Sequence, residues 1–243
     1  LIFAFLFAKK IRETNIVTLP DKIFFTYGQS TAAISGFFIF VLTLPAPYLL
    51  MTAYLIEIIF GLNYFVALIL AAIVSSVYII KGGYRADLYT DVFLFIVMFV
   101  GFGIGTFVVV NNFGGLNFLI NHLPNSHLRF DGGESLTYIL AWFLIALWTF
   151  VDPGFYQRVS SAKNSKIAFW GIVISIFFWF IFDFLTTTFG LYSKAVFQDL
   201  SNPVLSFPIL ADRILSPGIK GIFFAAMFAT IISTLNSFLI LSG

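Results

Sequence analysis

The chain has no cysteine in its 243 residues. Disulfides, thiolate metal sites and a cysteine nucleophile are therefore excluded. Histidine is almost as scarce. His122 and His127 are the only two, and both fall in the Gly/Asn-rich stretch 113–134. A His-rich metal centre cannot be built from them, nor a Ser/His/Asp arrangement inside a membrane, so the chain is not expected to be an enzyme. Charge is also sparse, at 10% of residues against about 25% in an ordinary soluble domain. With 60% hydrophobic residues, too little polar surface remains to cover a soluble core. A cytosolic enzyme, a nucleic-acid binder and a disordered tail are excluded together. The net charge of +2 is too small to argue for an anionic partner. The 34 phenylalanines read as a hydrophobic compositional bias and not as a binding feature.

What the chain does have is long apolar runs. A helix needs about 20 apolar residues to cross the hydrocarbon layer. After a short run at 1–8, the candidates are 31–60, 64–80, 90–111, 136–156, 167–192 and 219–242. All should be helices, because backbone exposed to lipid must satisfy its own hydrogen bonds. The run at 1–8 is too short to span and has no basic flank, so it reads as the tail of one helix and not as a signal peptide. Apolar runs at both ends lead us to expect a fragment of a longer membrane protein. Alternate loops hold nine and four of the 13 basic residues. The positive-inside rule places the richer set in the cytoplasm, at Lys9–Lys22, Lys81–Arg85 and Arg158–Lys166.

Polar groups inside these runs need an explanation. Near the end of the chain Thr230, Ser233, Thr234 and Ser237 recur at i, i+3, i+4 and i+7, one stripe of a helix, with Asn236 beside it. Hydroxyl oxygens suit a hard cation such as sodium, and they also serve as glue between membrane helices. Asp91, after Gly82-Gly83, reads either as a charge favoured by a helix N-terminus or as a group on a cation's exit route. Asp152 precedes Pro153-Gly154, a pair that breaks helices. It lines a cavity at such a break or pairs with Arg158. Asp183 lies mid-span, where an acid costs at least ~2.5–3.5 kcal/mol, so it faces a cavity, pairs, or is protonated.

Four stretches together resemble the sodium:solute symporter family. Gly82-Gly83-Tyr84-Arg85-Ala86-Asp87-Leu88-Tyr89-Thr90-Asp91 is similar to the family's G-G-hydrophobic-x-A-x-x-x-T-D element. Gln157-Arg158 followed by Ala162-Lys163 resembles its Q-R-x-x-x-A-K stretch. Gly218-Ile219-Lys220-Gly221 running into Ser233-Thr234-Leu235-Asn236-Ser237 resembles the helix that carries its sodium ligands. Thr18-Leu19-Pro20-Asp21 resembles its T-hydrophobic-P-E element.

The resemblance implies an all-α polytopic membrane bundle with the leucine-transporter-type core of inverted repeats. Residues 1–243 would form a single transmembrane transporter domain, truncated at both ends, running from the end of core helix two to core helix eight. It further implies sodium-coupled symport of a small organic solute. The sodium site would use the Ser233 and Thr234 hydroxyls and the Thr230 carbonyl. A second ion would use Asn236, Ser237 and Asp91, although Asn236 departs from the family's usual Ser. Trp148 falls where sugar-transporting members have a gating Tyr, and Trp179 where they have a sugar-contacting Lys, so a sugar is the less expected solute. Asp183, one turn beyond Trp179, is our own candidate for contact with a cationic or hydroxylated solute, and Asp152 joins this substrate or gate group. A symporter-like sensor module and a proton-coupled carrier are the alternative functions.

Overall fold

The computed structural model describes residues 1–14, 16 and 18–242, and only the backbone of residues 78–81. Lys81, counted above among the basic loops, and Gly243, the chain's end, thus lie outside the described side chains. Every regular element among the described residues is helical. In order these are a π-helical turn at Ala4–Ala8 leading into α1 (Lys9–Glu13), α2 (Leu19–Tyr27), α3 (Gln29–Leu42), α4 (Ala46–Phe60), α5 (Tyr64–Phe113), α6 (Leu116–His122), α7 (Leu136–Ile145), α8 (Pro153–Ser161), α9 (Ser165–Val196), α10 (Ser206–Ile214) and α11 (Pro217–Ser242). Gln29–Phe60, Gly82–Phe113, Ser165–Val196 and Pro217–Ser242 are long and apolar enough to cross a membrane. A fifth candidate is the bent pair Leu136–Phe150 and Pro153–Ser161.

The sequence predicts separate helices over 64–80 and 90–111 with a loop between them. The structure instead breaks only at Gly83, whose φ of 55° and ψ of −157° are non-helical, and the helix resumes at once. Such a positive φ suits glycine because it has no Cβ to clash. The chain divides into two compact units. One comprises Leu1–Leu44, Glu134–Phe180 and Leu241–Gly243, the other Pro45–Gly133 and Ile181–Ile240.

In the first unit, the Thr18-Leu19-Pro20-Asp21 element is a capping box. The Thr18 hydroxyl accepts from the Asp21 amide at 3.2 Å, and Asp21 Oδ2 accepts from the Thr18 amide at 3.3 Å. Two orphan donors of α2 are thereby satisfied, and Pro20 sits in the first turn, where its missing N–H costs nothing. A small core of Phe3, Ala4, Ala8, Ile11, Tyr156, Val159, Ala168 and Ile172 joins α1, α8 and α9. The Arg12 guanidinium donates to the Ala162 and Lys163 carbonyls just past α8.

The second unit packs around an aromatic cluster. Phe102, Phe182, Phe189, Phe207 and Phe223 lie with neighbouring ring centroids 4.5–5.2 Å apart for the Phe102–Phe182, Phe102–Phe223, Phe189–Phe207 and Phe189–Phe223 pairs. Part of the phenylalanine excess is therefore core, held by offset and edge contacts. Gly101 and Gly105 form a G-x-x-x-G pair on α5. A Cβ on Gly101 would lie 2.3 Å from the Ala226 Cβ and 2.8 Å from the Ile222 carbonyl oxygen. On Gly105 it would lie 2.5 Å from the Phe223 ring. The backbones of α5 and α11 approach this closely only because two side chains are absent.

Candidate functional site

The contact between α5 and α11 positions the polar residues. Ascending α5 from Asp91 to Gly101 and Gly105 descends α11 from Ser233 to Ala226 and Phe223, so the two segments run antiparallel. Within this pair the Ser233 hydroxyl donates to Asp91 Oδ1 at 2.6 Å. A hydrogen bond of that length to a carboxylate is of the strong, charge-assisted kind. Asp91 lies two turns past the Gly83 break and not in the first turn of the resumed helix, so a helix N-terminus is not what holds it.

Along α11, the Thr230 hydroxyl donates back to the Ala226 carbonyl at 2.9 Å, and Thr234 Oγ1 reaches the Thr230 carbonyl at 3.4 Å. Back-bonding of this kind loosens the carbonyls of a helix. Thr230, Ser233, Thr234 and Ser237 are all half-buried. Asn236 differs, being fully excluded from solvent with neither amide atom hydrogen-bonded. Chemically, the arrangement offers one carboxylate, neutral hydroxyls and a loosened carbonyl within two turns of a helix. That donor set fits a hard monovalent cation better than a transition metal. No group of three or more His, Cys, Asp or Glu that could hold a metal occurs among the described residues.

The solute-side candidates are placed as follows. In the first unit α7 continues as a 3-10 turn, Ala146–Phe150, and meets α8 at a 44° bend. Asp152 caps α8, its Oδ1 accepting from the Phe155 amide at 3.0 Å. Its Oδ2 accepts from the Trp148 indole Nε1–H at 2.9 Å. The Asp152 carboxylate thus ties the gate candidate to the start of the inner half-helix. A cavity of about 270 Å³ opens beside it, lined by Leu19, Ile23, Ser35, Phe38, Ile39, Leu42, Trp148, Val151 and Pro153. Trp179, also in this unit, is 65% exposed. Asp183, in the second unit, is exposed on α9, and its carbonyl accepts from Thr186 at 3.2 Å.

One residue escaped the sequence reading. Asp87, a variable position of the G-G element, is 1% exposed inside α5. Its i, i+4 spacing from Asp91 is the signal that would have found it, since that spacing puts both acids on one face.

Membrane-length helices, a span broken at Asp-Pro-Gly, and a carboxylate–hydroxyl pair between two closely packed helices define a multi-pass α-helical membrane protein with an intramembrane polar site. The chain belongs to the sodium:solute symporter family, whose model matches residues 1–243. It is 30% identical over 248 residues to the sodium/pantothenate symporter of Escherichia coli, covering 98% of this chain and 51% of that protein. The sodium/pantothenate symporter of Haemophilus influenzae is 28% identical over 255 residues, with the same coverage of each chain. The rabbit (Oryctolagus cuniculus) sodium/glucose cotransporter 1 is 21% identical over 275 residues, covering 93% of this chain and 42% of the cotransporter. The chain thus spans about half the length of the curated relatives it matches.

Proposed function

We propose that the protein is a sodium-coupled symporter that carries a small organic solute across the cell membrane by alternating access. The observation that carries this reading is the 2.6 Å bond from Ser233 to Asp91. Asp91 accepts the hydrogen bond that the Ser233 hydroxyl donates. When sodium arrives, the hydroxyl turns its oxygen to the ion, and the Thr234 hydroxyl and Thr230 carbonyl complete this side of the shell. Ser237 and Asn236 extend the polar path, and the Asp91 charge favours release toward the cytoplasm. The segments carrying Lys9–Lys22, Lys81–Arg85 and Arg158–Lys166 are cytoplasmic in this reading. Sodium moving inward gains about 2.3 kcal/mol per charge per 100 mV of membrane potential.

On the solute side, Trp148, held by Asp152, acts as the gate. Trp179, in the same unit, and Asp183, in the other, are further candidates for solute contact. Pantothenate, for which two relatives are named, is the first solute to try.

The test is sodium-induced thermal stabilisation of the full-length protein, with potassium as control. A ligand at 100 times its dissociation constant adds about 2.7 kcal/mol. Stabilisation by sodium, abolished in Ser233→Ala/Thr234→Ala, supports the reading. A folded wild type indifferent to sodium overturns it.

A further inference from the structure

Between Lys22 and Lys81 the chain carries a single charged residue, Glu57. It lies one turn from the end of the membrane-length stretch Gln29–Phe60. It is half-buried, and among the described residues no cation pairs with it. An acid in a membrane helix is costly and rare, and one without a cation of its own marks a functional position.

The turn between α4 and α5 builds its surroundings. Gly61 ends α4 in the left-handed region, with φ at 64°, and its amide donates to the Glu57 carbonyl at 2.8 Å. Asn63 opens α5, its Oδ1 accepting from the Phe65 amide at 2.9 Å. Capped on both sides, this short connection holds the packed pair α4 and α5 in register. Tyr54 precedes Glu57 by three residues, which puts both on one face of α4. Across the turn the Tyr64 ring centroid lies 4.9 Å from that of Tyr54, with the rings tilted by 46°. The Glu57 carboxylate is near enough for its charge to act on the Tyr64 hydroxyl. Tyr54 is 49% exposed, so the corner is open to an incoming group. Tyrosines at a membrane interface need no ligand, since their amphipathic rings favour that depth. The carboxylate beside them is what that preference does not explain.

We propose that Tyr54, Glu57 and Tyr64 bind the alkylammonium headgroup of a membrane lipid, the carboxylate supplying the charge and the two rings their electron-rich faces. A cation within about 6 Å of a tyrosine ring centroid is drawn to the ring face, and quaternary ammonium groups are the class that aromatic cages recognise. A lipid and not a dissolved cation is the occupant, because Phe60 and Phe65 flank the corner and are exposed, an apolar surface that suits acyl chains. In the orientation proposed above, the corner lies on the outer side, opposite the Lys9–Lys22 and Lys81–Arg85 segments. The binding is independent of which ion or solute the protein carries.

The experiment titrates short-chain phosphatidylcholine, or phosphatidylglycerol of the same chain length, into the delipidated full-length protein in detergent and follows thermal melting. The choline lipid should raise the melting midpoint at a concentration lower by about threefold or more, the factor expected of one cation–π contact. Glu57→Gln, which is nearly isosteric, should abolish that preference, as should Tyr54→Leu and Tyr64→Leu. Tyr54→Phe keeps the ring face and should keep the preference. Equal response of the wild type to the two lipids overturns the proposal, and so does a preference that survives Glu57→Gln. A preference lost in Glu57→Gln but kept in both leucine variants would mean simple repulsion of the anionic lipid, which also overturns it. Choline chloride acting at the same concentration as phosphatidylcholine would make a dissolved cation the occupant and overturn the lipid.

Discussion

Ser233 and Asp91, 142 positions apart in the chain, meet across α5 and α11 through a 2.6 Å hydrogen bond. Removing either partner should separate two effects. Asp91→Asn keeps the side chain's size but removes its charge, so sodium affinity should fall at least tenfold, about 1.4 kcal/mol. Ser233→Ala deletes the hydroxyl and leaves the carboxylate without that donor. The loss of a hydrogen bond to a charged group is worth about 1.5–3 kcal/mol, so this variant should melt at lower temperature as well as bind sodium less well. Sodium titration and melting of the two variants check both statements.

The close approach that permits this bond depends on Gly101. Gly101→Ala puts a Cβ 2.3 Å from the Ala226 Cβ and 2.8 Å from the Ile222 carbonyl oxygen. Neither neighbour is the end of a flexible side chain, so the helices must part. The expected cost is that of overpacking, about 1–3 kcal/mol, together with weaker sodium binding as Asp91 and Ser233 separate. Gly103→Ala is the control. Its Cβ would meet nothing within 4 Å, so it should melt like the wild type.

Much of this was legible from composition and period alone. Apolar runs are lengthened by the membrane to a size that periodicity cannot miss, which is why 167–192 and 219–242 fall inside α9 and α11. The break at Asp152-Pro153-Gly154 was legible because proline and glycine act locally. The loop expected over 81–89 was not borne out, because charged residues there lowered the apolar signal while the backbone stayed helical up to and after Gly83. At the site, the hydroxyl stripe of α11 could be read from its spacing. Its partner could not, since which α5 face meets α11 is decided by Gly101 and Gly105, whose role appears only when two helices are packed.

Outside the spans, the loop pair Arg129–Asp131 gives a prediction in pH. Arg129 Nε and Nη2 donate to the two Asp131 oxygens at 2.8 and 2.6 Å, and the Gly133 amide donates to Oδ1 at 3.0 Å. The guanidinium, and then the Gly133 amide, hold the Asp131 carboxyl down to about 2 from an ordinary 3.8. A depressed carboxyl favours the folded loop above the ordinary value and loses that contribution as pH falls through the lowered one. The loop's order should therefore persist at pH 4 and decline between about 4 and about 2. Protection of the Gly133 amide from hydrogen exchange tracks it. Arg129→Ala should move the decline to higher pH.

Asp152 does two jobs with its two oxygens, and substitution can part them. Oδ1 caps α8 through the Phe155 amide, and Oδ2 holds the Trp148 indole. Asp152→Asn retains an acceptor for the cap but offers an amide nitrogen in place of the second oxygen, which cannot accept from the indole. Asp152→Ala loses both functions, and loss of an N-cap costs about 0.5–2 kcal/mol. If the indole tie sets the gate, Asp152→Asn should melt like the wild type yet change solute uptake, and Trp148→Phe, which has no N–H to donate, should change it in the same direction. Asp152→Ala should change uptake and also lower the melting temperature. Parallel loss of stability and uptake across all three variants would assign Asp152 to the helix cap alone. The Asn variant decides between these outcomes, because it alone preserves the cap while releasing the tryptophan.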